Sequence, residues 1–264
     1  MLYRRVSCLI LAAVMLVLVC GSGAAYTQED DVAVPVLLYH NIAPYVEGDT
    51  SYDPFLNISA ELFESHMKAI LNYGYTPITY GEYYSYVTYG TALPPRPILI
   101  TFDDGYYSNY QYAYPILKQY GIKATIFVIT DRRGMALSKN PHFSWNQAKE
   151  MQDSGLVDIQ SHTYSHEILT TLSDFDLLFE LKTSKNMIER HLGKKCNVLA
   201  FPQGIAGERE IRAAKEAGYL ILNKVGDEGV NRRSMGLDSL KRLTVRSDWT
   251  PYKLMTVIEE NMNR

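Results

Sequence analysis

Cysteine is nearly absent from this chain. Its 264 residues hold three, and two of them, Cys8 and Cys20, fall in the first 20 positions. Cys196 stands alone in the remainder, which excludes an intramolecular disulfide and a cysteine-based metal site there. Basic runs are missing as well: 26 Lys and Arg face 29 Asp and Glu, a balance that argues against nucleic acid as a partner. No Gly-rich loop follows any apolar run, so nothing points to a nucleotide phosphate site. No Ser/Gly/Pro-rich linker, repeat or low-complexity tract divides the chain, and a single domain held by its core is expected. Histidine is scarce too, six in all, with none beyond His191.

The N-terminus reads differently from the rest. Arg4 and Arg5 precede an apolar run from Cys8 to Val19, followed by small residues up to Ala25. That is the order of a secretory signal, with cleavage expected after Ala25. An uncleaved membrane anchor is the alternative, although the run is short for a span. The expectation is a signal over 1–25, a catalytic domain over 26–264, and a secreted or cell-surface monomer. Cleavage removes two arginines and no acid, taking the formal net charge from −3 to −5.

Apolar runs and amphipathic patterns then alternate. Strands are expected at 34–39, 97–102, 123–129, 156–161, 197–201, 219–223 and 241–245. Helices are expected from Ser59, over 80–89, and at 107–120, 144–154, 173–192, 207–217 and 251–263. Repeated strand–helix units imply parallel strands with right-handed crossovers. About seven strands in this length favour an α/β fold, a distorted (β/α) barrel. The tyrosines of 73–89 read as packing, with a sugar-stacking platform as the other reading.

Functional groups of such a barrel gather at the carboxyl ends of its strands. Four strands end there in polar or turn-forming groups: Tyr39-His40, Asp103-Asp104, Ser161-His162 and Phe201-Pro202-Gln203-Gly204. His162 and His166, at i and i+4, would share one face of a helical turn and could hold a metal ion. Two imidazoles and a carboxylate form a zinc-type set, which also accepts cobalt or nickel. The adjacent carboxylates repel each other unless a cation lies between them. One can then ligate the ion while its neighbour acts as a general base.

In this order "TFDDG", "SHTYSH" and "FPQG" resemble the NodB-like polysaccharide deacetylase family (carbohydrate esterase family 4), over roughly residues 32–250. The resemblance implies a distorted (β/α) barrel and metal-dependent hydrolysis of acetyl groups on polysaccharides, with water activated at a divalent metal, zinc first. It implies that Asp103 is the catalytic base and that Asp104, His162 and His166 are the metal ligands. The oxyanion donor would be the backbone N–H of Gln203, beside Pro202.

Two positions depart from the family pattern. Where its third motif commonly has an Arg that pairs with the base, this chain has Ala200; Arg242 and Arg246 are candidates to take its place. The "LxH" motif that supplies the acid histidine normally comes last, but here Leu38-Tyr39-His40 stands first. This resembles a circularly permuted branch that includes poly-N-acetylglucosamine deacetylases, with His40 as acid. Arg246-Ser247-Asp248-Trp249 partly matches that branch's final motif, making Trp249 a substrate-binding candidate. The expected activity is N-deacetylation of GlcNAc-containing glycans of a cell wall or exopolysaccharide. An O-acetyl esterase on xylan-like glycans and a non-catalytic carbohydrate-binding relative are the alternatives.

Overall fold

The computed structural model describes residues 31–44, 53, 56–132, 134, 141–225 and 229–263. The expected leader, 1–25, lies outside them. Seven strands form the main sheet: β1 Val36–Tyr39, β2 Pro97–Phe102, β3 Ala124–Val128, β4 Val157–Ser161, β5 Val198–Ala200, β6 Ile221–Asn223 and β7 Leu243–Thr244. All run parallel, in the order β7-β1-β2-β3-β4-β5-β6. They curl through 245° as a distorted, incompletely closed barrel. The last strand pairs with the first, Leu37 opposite Leu243 and Leu38 opposite Thr244. On the other side, the segment leading into β7 bonds to β6: Leu240 donates to the Leu222 carbonyl and Lys224 to that of Leu240.

Helices surround the sheet: α1 Ala60–Asn72, α2 Tyr80–Tyr89, α3 Tyr114–Tyr120, α4 Trp145–Asp153, α5 Asp174–Leu192, α6 Glu208–Glu216 and α7 Pro251–Met262. Side-chain caps explain several starts. Ser59, Thr79, Ser144, Ser173 and Thr250 each accept a hydrogen bond from the first turn of α1, α2, α4, α5 and α7, satisfying an amide with no partner in the helix. Left-handed glycines end three helices, Gly90 after α2, Gly121 after α3 and Gly193 after α5, where residues with a Cβ are disfavoured.

The period of two along each strand sorts side chains between two cores. Leu37, Tyr39, Ile98, Ile100, Phe102, Ile126, Val128 and Ile159 join the larger cluster under the helices. Val36, Leu99, Phe127, Val198, Ala200 and Ile221 share a second one with Tyr80, Tyr83 and Tyr86 of α2. Those tyrosines are buried, so they are core residues and no sugar platform. Continued one step past the strands, the second parity places His40, Asp103 and His162 on the same side as Val36, Leu99 and Gln160.

The structure departs from the expected elements in three places. The helix after β2 opens as a π-helical turn over Asn109–Ala113 before α3 begins. Pro115 sits in the first turn of α3 and has no N–H to return to residue 111, which favours the wider turn. Two short parallel pairings were not expected, Asn41–Ile42 with Asn57–Ile58, and Thr76–Pro77 with the start of β2. The HxxxH segment is not helical, for reasons that belong to the site.

Candidate active site

Ladder hydrogen bonds that run past the strand ends fix the backbone here. The Asp103 amide donates to the Tyr39 carbonyl at 3.0 Å, and that of His162 to Val128 at 2.9 Å. His40 is anchored through its carbonyl, which accepts from Asn109 at 2.7 Å. Three strand ends, β1, β2 and β4, thus deliver His40, Asp103 and His162 to one end of the barrel.

After Asp103 the alternation breaks. Asp104 has φ 68°, Thr163 67°, His166 69° and Gln203 54°; outside the site motifs only Arg96 among the described non-glycine residues has positive φ. Each such conformation costs on the order of 1–3 kcal/mol and marks functional segments; for a β-branched threonine it is a genuine outlier. Here it does a specific job. Asp104, turned out of the strand path, faces His162 Nε2 at 3.6 Å and His166 Nε2 at 3.7 Å through one carboxylate oxygen. Two left-handed residues, rather than a helical turn, bring the imidazoles to a centroid distance of 4.8 Å.

Ligand atoms of Asp104, His162 and His166 lie within 4.8 Å of one another, as three donors around one cation would. The chemistry of the set fits such an ion. His162 Nδ1 donates to the Ala200 carbonyl at 2.8 Å, since a carbonyl only accepts. That leaves Nε2 facing the aspartate pair, 3.6 Å from Asp104 Oδ1 and 3.7 Å from Asp103 Oδ2. His166 is lowered to about 4, by burial first and then by His162, so it is neutral near pH 7 as a ligand must be. Burial would raise Asp104, but His162, His40 and His166 outweigh it and hold it below its ordinary value.

Asp103 is bound quite differently. Arg242, from the residue before β7, donates to both its oxygens, Nη1 to Oδ1 at 2.7 Å and Nη2 to Oδ2 at 2.8 Å. Both side chains are at most 3% exposed. The guanidinium also lies 5.5 Å over the Phe127 ring and bonds the Lys224 carbonyl. Burial pushes the Asp103 carboxyl up, but Arg242 and His162 outweigh it and hold it at about 2. Of the two arginines considered for the Ala200 departure, Arg242 therefore reaches Asp103, whereas Arg246 pairs with Asp248.

His40 is half-buried, and its covered Nδ1 has no hydrogen-bond partner among the described residues. The pairing of Tyr39 with Phe102 sets His40 next to Asp103 past the ends of β1 and β2, and burial lowers its pKa, opposed by the charges of Asp103 and Asp104. Pro202 and Gln203 form a tight turn after β5, Pro202 buried and Gln203 exposed. Gly204 ends the turn at φ 70°, where a Cβ would come within 2.2 Å of the Val225 nitrogen. Trp249 closes a turn after β7, its amide donating to the Arg246 carbonyl at 3.1 Å. Its half-buried ring packs against the larger core, and its carbonyl accepts from His66 Nε2 at 2.7 Å.

Two contributors carry no motif signal in the sequence. Tyr106, directly after the "DDG" turn, is hydrogen-bonded to Asp104, and burial together with that carboxylate raises its phenol pKa. Glu180, mid-helix in α5, accepts from the backbone of the HxxxH loop. Only the fold brings Glu180 to that loop.

A family model for polysaccharide deacetylases matches residues 90–222. YxkH of Bacillus subtilis strain 168, named for the same family, is 33% identical over 217 residues, which cover 82% of this chain and 73% of that protein. A poly-beta-1,6-N-acetyl-D-glucosamine N-deacetylase of Staphylococcus aureus (strain N315) is 30% identical over 174 residues, 61% of this chain and 59% of that one. The structure of the Streptococcus pyogenes deacetylase PplD in complex with acetate superposes with a TM-score of 0.79 at 28% identity, covering 86% of this chain and 98% of that one.

Proposed function

This chain belongs to the polysaccharide deacetylase family and is a hydrolase of acetylated polysaccharide; from that premise we propose that it is an exported, metal-dependent N-deacetylase of a GlcNAc-containing cell-wall or extracellular glycan. The observation that carries the reading is the division between two neighbouring carboxylates. Asp103 is clamped by Arg242, while Asp104 faces two imidazoles. A binding module has no use for that separation. The leader pattern of residues 1–25 supports export, and the activity in the S. aureus relative's name supports a poly-GlcNAc substrate.

Asp104, His162 and His166 would hold the ion, zinc first, with cobalt and nickel also suited to N/O donors. When bound, it supplies Lewis-acid polarisation of the acetyl carbonyl and acidifies water for attack. Asp103 accepts the proton of the attacking water on a carboxylate oxygen. Each oxygen keeps a lone pair beyond the one Arg242 uses, and Arg242 holds the group ionised and oriented for that transfer. His40 gives a proton to the departing amine nitrogen, so that acetate and a free amine result. The Gln203 backbone N–H is the proposed donor to the tetrahedral oxygen, with Pro202 beside it. Trp249 would contact substrate only from the core-packed position described above.

The test is acetate release from poly-GlcNAc, chitooligosaccharides, peptidoglycan and acetylxylan. Release from GlcNAc polymers that Asp103→Asn abolishes is the expected result. Release from acetylxylan alone would replace the proposal with an O-acetyl esterase. Release that Asp103→Asn leaves unchanged would remove Asp103 from the mechanism.

A further inference from the structure

The loop that carries His162 and His166 has an unusual backbone requirement. With Thr163 and His166 both left-handed, the chain leaves the sheet after His162 without entering a helix, and the amides that follow lose any ladder partner. Its carbonyls are met from one side by the turn after β3: Thr130 donates to Thr163 at 3.3 Å, Asp131 to Tyr164 at 3.0 Å and Arg132 to Ser165 at 3.4 Å. Its amides converge on the other side. Those of Tyr164 and Ser165 both donate to Oε2 of Glu180, at 3.0 and 2.8 Å, and the Ser165 hydroxyl donates to Oε1 at 2.6 Å. Successive amides aimed at one point form a concavity for an anion, and here the anion is a side chain of the protein.

Glu180 is 5% exposed and sits in the middle of α5, a position where a carboxylate is expensive to bury without full pairing. One turn further along, Ser184 bonds the Ser161 hydroxyl at 2.7 Å, and the Ser161 oxygen accepts from the Thr163 amide at 3.2 Å. The same face of α5 therefore holds both ends of the loop. Inside the loop, the His166 amide donates to the Thr163 hydroxyl at a long 3.2 Å.

We propose that Glu180 is the positioning residue for the two imidazoles, its carboxylate holding the strained Thr163–His166 loop in the shape that aims His162 and His166 at Asp104. The proposal rests on the metal reading above. Its mechanism is reach: one oxygen must stand where both loop amides point, with a second polar atom opposite the Ser165 hydroxyl. Charge at that place is secondary, because a single amide oxygen could accept both N–H groups while its NH2 donates to the Ser165 hydroxyl.

That distinction sets the test. Glu180→Gln keeps the reach and loses the charge, Glu180→Asp keeps the charge and retracts it by one methylene, and Glu180→Ala removes both. Zinc affinity of the full chain is measured by competition with a chromogenic chelator, and amide exchange at Tyr164 and Ser165 is followed in the metal-free protein. Glu180→Asp and Glu180→Ala should lose amide protection and bind zinc about 10–100-fold more weakly, the range for losing an outer partner of a metal ligand. Glu180→Gln should keep protection and stay within about 3-fold of wild type. Leu181→Ala, on the same helix, controls for general loss of stability and should also keep its affinity.

The proposal is overturned if Glu180→Ala or Glu180→Asp binds zinc like wild type, if Glu180→Gln is as weak as Glu180→Ala, or if Leu181→Ala weakens binding equally. Should Glu180→Ala not fold, the contrast between Gln and Asp decides. Wild type that binds no more zinc than Asp104→Asn would instead overturn the metal reading on which the proposal stands.

Discussion

Replacing Arg242 with methionine tests whether Asp103 is held as described. The substitution keeps apolar volume over Phe127 and leaves a carboxylate that is 2% exposed without its bidentate partner. Removing one member of a buried pair costs about 3–5 kcal/mol, because the other charge stays in low dielectric. For a domain of this size each kcal/mol moves Tm by about 2–4 °C, so a fall of about 6–20 °C at neutral pH is expected. The sign with pH follows from the same geometry. In the wild type the folded pKa of Asp103 is about 2, below the 3.8 of the unfolded chain. Its contribution, on the order of 2 kcal/mol, is therefore complete above the unfolded value and is lost as pH falls through the folded one.

In Arg242→Met burial is the largest influence left on Asp103, and the folded pKa is expected to rise above the unfolded one. A raised carboxyl pKa makes folding bind a proton, so the variant loses stability as pH rises through that pKa, while the wild type does not. The gap between the two proteins should accordingly be about 2 kcal/mol near about pH 4, where the wild-type contribution is already present, and should grow to its full size near about pH 7. Urea unfolding at both pH values measures it. Asp103→Asn in the Arg242→Met background should recover most of the loss at neutral pH, giving a coupling of at least about 2 kcal/mol in the double-mutant cycle. The reasoning is refuted by a loss under about 1 kcal/mol, by a loss that does not grow with pH, or by additivity of the two substitutions within about 0.5 kcal/mol. Activity gives a second readout: the acid limb of kcat/KM should move toward neutral pH, because a protonated Asp103 cannot accept the water's proton.

The remaining expectations concern the other groups of the site. Asp104→Asn, His162→Ala and His166→Ala should each lose both zinc, measured by metal analysis after dialysis, and acetate release. Asp103→Asn should lose acetate release but retain zinc; loss of the metal there would reverse the roles of the two aspartates. His40→Ala should lower turnover by about 10²-fold or more if it protonates the leaving amine, and wild-type turnover would remove it from that role. Gly204→Ala should destabilise by more than about 1 kcal/mol in urea, since a Cβ at φ 70° would meet the Val225 nitrogen. An unchanged midpoint would mean that this turn moves freely away from Val225.

How much of this is legible in the sequence depends on the range of each interaction. Strand and helix periodicities are local, and they place every main strand and helix within a few residues. The polar strand ends are local too, so the chain itself names His40, Asp103 and His162. What it does not show is how side chains meet once the strands close. The i, i+4 spacing of His162 and His166 suggests a helical turn, but the loop reaches its geometry through left-handed Thr163 and His166, conformations that no threonine or histidine announces.

Ala200 looks like a gap in the site because its motif lacks an arginine. The fold fills it with Arg242, 139 residues from Asp103 in the chain, and makes the Ala200 carbonyl the acceptor that orients His162. An alanine there does a task that depends on its backbone alone, which a comparison of side chains cannot register. Glu180 is the extreme case. In the sequence it is one acid on an amphipathic helix, and its meaning arises only where two amides with no regular partner happen to point. A site of this kind is therefore legible from its motifs as chemistry, while the restraints that shape it are written in distant residues whose local signal is that of ordinary structure.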